Sequence, residues 1–159
     1  MTDREFLRHT LATLAYRAAK TLRGAPETFA EFKLDDGSNT PLVIVTHLAD
    51  LMAWMITMCK GEPQWVTEPP KDWSTECDRF FDTMKKVDDC LSSETPIPFE
   101  LTRMFQGPVA DALTHTGQLA MLRRLHGAPM RSEAYIRADI QIGRVGPDQT
   151  PIDPRFEFD

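Results

Sequence analysis

The chain has 159 residues, 42% of them apolar and 26% charged, with a formal net charge of −6. That length suits a single domain over residues 1–159 with a self-sufficient core. The acidity disfavours a nucleic-acid groove, which needs a basic surface.

From the N-terminus, MTDREFLRHTLATL mixes acids with bases and has no apolar run of signal-peptide kind. Leu7, Leu11, Leu14, Ala18 and Leu22 recur at helical spacing and predict a helix over residues 3–23. Thr2 or Asp3 is its expected cap and Gly24 its end. His9 falls off the stripe and reads as a surface histidine. Residues 24–40 form a connection with turn chemistry at Asp36-Gly37, and Phe29, Phe32 and Leu34 are expected to tuck it onto the core.

Asn39 or Thr40 caps a second helix with Pro41 in its first turn. Its inward stripe takes Ile44, His47 or Leu48, Leu51, Trp54 or Met55, and Met58. His47 there is either a hydrogen-bonded core residue or a ligand, and the helix alone does not decide between them. No run reads as approaching the roughly 18 apolar residues of a membrane span. A proline-rich crossover over 62–72 leads into a third helix, from about Trp73 to Leu91. That helix carries Cys77, Phe80 or Phe81, Met84, Val87 and Leu91 on one stripe, and its charged residues read as solvated.

Residues 99–105 are either a short separate helix or the start of one long helix kinked at Pro108. The helix beyond Gly107-Pro108 ends in Arg123, Arg124, His126, Gly127 and Pro129, which together form a strong stop signal. Ser132 is expected to cap a short further helix through about Asp139, and the tail reads as an ordered loop with a loose terminus. With no repeat and no strand alternation, the fold class is all-α, a helix bundle. The three cysteines, Cys59, Cys77 and Cys90, are odd in number and widely spaced, without CxxC pairing. That pattern indicates reduced, buried thiols in a cytoplasmic setting.

Asp111 and His115 stand four residues apart and so leave one helix face one turn apart. With His47 they make a two-histidine, one-carboxylate set, and helical bundles build metal sites from inward side chains of facing helices. Three protein ligands leave a fourth position for water or substrate, the catalytic pattern. Asp111 also has a simpler reading as a first-turn acid favoured by the helix dipole.

The set resembles that of the DinB-like superfamily of four-helix metal proteins, which includes thiol-dependent transferases and mycothiol-dependent maleylpyruvate isomerases. The resemblance rests on TPLVIVTHLADLMAWM, THTGQLAMLRRLHGAP and YIRADIQIGRVGPDQ. The family takes one histidine from its second helix, matched here by His47. It takes a pair spaced by four ahead of a Gly-Gln, matched by Asp111 and His115 before Gly117-Gln118. The first member of that pair is most often histidine, glutamate in the isomerase branch, and here aspartate. The resemblance implies an up-down-down-up four-helix bundle with a short fifth C-terminal helix. It also implies a divalent metal, with zinc or nickel suited to nitrogen–oxygen ligation, and a homodimer.

The implied activity is transfer or isomerisation of a small-molecule substrate with a low-molecular-weight thiol. A metal-dependent hydrolase and a non-catalytic metal- or small-molecule-binding bundle are the alternatives. No nucleic acid or membrane is expected as a partner. The cofactor pocket is expected between the second helix and the segment after Pro129, with Trp54, Gln118 and Tyr135 around it.

Overall fold

The computed structural model describes residues 1–158. Its helices are α1 (Asp3–Leu22), α2 (Pro41–Cys59), α3 (Trp73–Ser92), α4 (Leu101–Met104) and α5 (Ala110–Leu125). Local chemistry sets the ends of the long helices. Thr2 and Glu5 form a reciprocal capping box on α1. The Thr40 hydroxyl caps α2 and the Asp72 carboxylate caps α3. At the end of α5, Gly127 at φ +87° and the bonds Ala128 N–H to Arg123 C=O and Gly127 N–H to Arg124 C=O make a Schellman motif.

Of the two readings left open for residues 99–105, the continuous one describes the molecule. α4 runs into α5 through a π-helical turn, Phe105–Val109, which contains Pro108. A proline has no N–H to give and its ring crowds the preceding turn, so a regular α-helix there would lose a bond and clash. The wider π turn relieves both.

One apolar cluster joins the long helices, with Leu11, Leu14, Leu48, Met52, Phe80, Met84, Met104 and Leu119 fully buried. α1 packs against α3 and α5, and so does α2. The side-chain pairs also give directions. Arg79, early in α3, reaches Asp50 and the Thr46 carbonyl of α2, while Cys59 and Cys90 meet at the far ends of the same two helices. α2 and α3 therefore run the same way. Arg8, early in α1, binds Asp88, late in α3. Leu101 and Phe105 share a groove with Asp3 and Leu7, while Arg123 donates to the Thr21 and Arg23 carbonyls at the end of α1. The segment Leu101–Leu125 is therefore parallel to α1.

Several expectations change. Leu34 is exposed, so only Phe29 and Phe32 hold the first connection to the core. The charged face of α3 is not wholly solvated, because Glu76 and Asp88 are buried against Arg79 and Arg8. No helix spans 132–139: Ser132–Glu133 (β1) pairs antiparallel with Glu157–Phe158 (β2), and a single 3-10 turn, Tyr135–Arg137, follows β1. The returning tail supplies β2, and Lys20 ties it down through Glu133 and Glu157. Finally α2, with a mean hydropathy of 1.8 over its best window, is long and apolar enough to cross a membrane, although 61% of that window is buried inside the fold.

Candidate metal centre

α2 and α5 face one another across the site. Asp111 and His115 leave α5 one turn apart, and His47 projects toward them from the first half of α2. The His47 Nε2 lies 3.2 Å from Asp111 Oδ2, and the His115 Nε2 lies 3.3 Å from Asp111 Oδ1. The two imidazoles stand nearly perpendicular, at 83°, with ring centroids 4.8 Å apart. One donor atom from each of the three residues lies within 4.8 Å of the other two. All three side chains are half-buried, with Asp111 the most open at 45% exposure.

This donor set suits one divalent cation. Two ligand atoms each bound to zinc at tetrahedral angles stand about 3.4 Å apart, close to the nitrogen–oxygen spacings of 3.2 and 3.3 Å. The second ring nitrogen of His115, Nδ1, lies 2.7 Å from Gln118 Oε1. The amide oxygen can only accept, so the proton sits on Nδ1 and the Nε2 lone pair is left for a metal. Because the helix continues upstream through the π turn, Asp111 is not at a free helix N-terminus. The dipole explanation for an acid at this position loses its physical basis.

A cavity of about 330 Å³ adjoins the cluster, with His47 and His115 in its wall. Val43, Ile44 and Pro70 supply apolar surface and Thr67 and Glu68 polar atoms. The size is that of a small-molecule site. Its outer side comes from the proline-rich crossover and not from the segment after Pro129. An ionic network docks the crossover. Arg79 binds Asp50 at 2.8 Å and Glu76 at 2.7 Å, Asp50 accepts from the Glu68 N–H, and Glu76 accepts from the Lys71 N–H.

The predicted site residues separate. His47, Asp111 and His115 converge. Gln118 is present as the hydrogen-bond partner of His115. Trp54 is one ring removed: Trp65 of the crossover stacks edge-on to both His47 and Trp54, with centroids 5.5 Å from each. Tyr135 is elsewhere, packed against Tyr16 and under Arg17 of α1. The expected short helix that was to carry it over the opening is a strand and one turn tied to α1.

Trp65 and Glu68 are the neighbours that the sequence did not reveal. A lone tryptophan in an otherwise polar, proline-rich run was the only available signal for the first, since so large an apolar ring seeks cover. Nothing in the sequence marked Glu68. Comparison of the chain with protein-family models, with curated proteins and with solved structures finds no match in any of the three.

Proposed function

We propose that this chain is a divalent-metal protein of the DinB-like kind, which uses a low-molecular-weight thiol to act on a small electrophile by transfer or isomerisation. The observation that carries the reading is the convergence of His47, Asp111 and His115 beside a ligand-sized cavity. The helix directions support the bundle it requires: α1 and Leu101–Leu125 run one way, α2 and α3 the other, in up-down-down-up order. Residues 60–72 then form the long crossover that two successive parallel helices need.

A divalent cation, zinc or nickel for this donor set, supplies the positive charge that keeps a thiol ionised at neutral pH. The chain's own residues do the rest. Gln118 fixes the His115 ring and its tautomer. Asp111 offers one carboxylate oxygen toward each imidazole. Trp65, Val43 and Ile44 give apolar surface that lowers water access around a bound nucleophile. Burial pushes the Cys59 and Cys77 thiols up to about 12, which disfavours either as the nucleophile.

The test is a screen of metal-loaded protein with small thiols and a generic electrophile. Turnover is expected to require both metal and thiol, and to vanish in His47→Ala with the far-ultraviolet circular dichroism unchanged. The hydrolytic reading keeps one specific support, since the Glu68 carboxylate, on a residue of the cavity wall, has no partner among the described residues and so is a candidate base. Thiol-independent ester cleavage in the same screen would favour it.

A further inference from the structure

The wall that carries His47 and His115 also carries Glu68. The Glu68 backbone is held in place, because its N–H donates to Asp50 at 3.2 Å and Asp50 is itself held by Arg79. Its carboxylate, in contrast, has no hydrogen-bond or ion-pair partner among the described residues. The other carboxylate in the wall, Asp50, is satisfied by Arg79 and by this N–H. Among the described residues no lysine or arginine lines the cavity, and Arg79 is engaged by Asp50, Glu76 and the Thr46 carbonyl. Glu68, an exposed residue, thus adds to the cavity rim a carboxylate with no counter-charge among the described residues.

The charges at the cluster complete the argument. Imidazoles ligate in their neutral form, so a divalent ion with Asp111 leaves one net positive charge. A matching ligand places a negative donor at the cluster and a positive group on Glu68. From this we propose that the cavity selects a thiol bearing a protonated amine, the ammonium seated on the Glu68 carboxylate. It rests on the metal–thiol reading above and adds the class of thiol. On binding, the S–H bond loses its proton to solvent and the amine keeps its own. A thiol with a carboxylate tail meets Glu68 as a like charge and is disfavoured.

Three thiols of similar length separate the cases: cysteamine, 2-mercaptoethanol and 3-mercaptopropionate, with ammonium, hydroxyl and carboxylate tails. The full chain loaded with cobalt(II) is titrated with each, and thiolate-to-cobalt absorption is read. Because an amine can chelate the metal on its own, the readout is each thiol's affinity in the wild type relative to Glu68→Gln. Exposed ion pairs are weak, so the cysteamine ratio is expected to be roughly three- to fivefold above one and the 3-mercaptopropionate ratio below one by a similar factor. Glu68→Lys is expected to reverse the order, with each variant's cobalt affinity measured separately so that every thiol ratio is taken on fully loaded protein. Ratios near one for all three thiols, each still binding at the metal, overturn this inference and leave the thiol reading standing. Failure of every thiol to ligate cobalt overturns both.

Discussion

At the scale of single residues, three donor atoms and the groups that aim them decide whether the chain can hold a metal. His115→Ala removes a ligand and is expected to abolish stoichiometric binding of zinc by calorimetric titration, and retention of tight binding would locate the metal elsewhere. Gln118→Ala leaves all three ligands but frees the His115 ring, so affinity should fall by roughly 10- to 100-fold while the helix content is unchanged. The cysteines make the opposite case. Desolvation is the largest cause that pushes Cys59 and Cys77 up to about 12, ahead of the neighbouring Cys90 and of nearby acids respectively. Raised values keep both thiols protonated at pH 7, and alkylation of the folded protein should be slow at these two positions. Rapid labelling of either would contradict their burial.

At the scale of elements, what the sequence reveals follows how local the cause is. The starts at Thr2 and Thr40, each one of two adjacent cap candidates, and the stop at Gly127 depend on residues within one turn, so the sequence bounds them closely. The spacing of Asp111 and His115 is likewise a property of one helix. The π turn at Pro108 could be bounded but not chosen, because its alternative differs only in how the preceding segment packs. The strand at Ser132 is not legible locally, since its partner lies 26 residues away, at Phe158.

The crossover was legible as irregular and proline-rich, but its docking was not. That docking depends on Arg79, Asp50 and Glu76, three charged residues from two helices, and charge pattern along one helix points to solvent. Asp50 is 2% and Glu76 0% exposed. Arg79→Leu strands both carboxylates and is expected to cost about 3 kcal/mol in urea denaturation, the lower end for a broken buried pair because the arginine itself is partly exposed. The same variant should loosen the crossover, and a changed tryptophan fluorescence from Trp65 is the sign of it. An unchanged midpoint would show that the network contributes little to stability.

At the scale of the whole molecule, an all-α core presents one polar cluster to a cavity that the crossover covers. The fold predicts a far-ultraviolet spectrum dominated by helix, and a major sheet component would end the bundle reading. The apolar length of α2 follows from its place in that core: Leu48, Met52 and Met55 are fully buried against its neighbours. The central claim is that His47, Asp111 and His115 form one metal site. Elemental analysis of the protein, purified without a histidine tag and then reconstituted, tests it most directly. The account predicts one zinc or nickel per wild-type chain and none in His115→Ala. A wild-type protein that holds no divalent metal, or a His115→Ala variant that holds as much as the wild type, would contradict it.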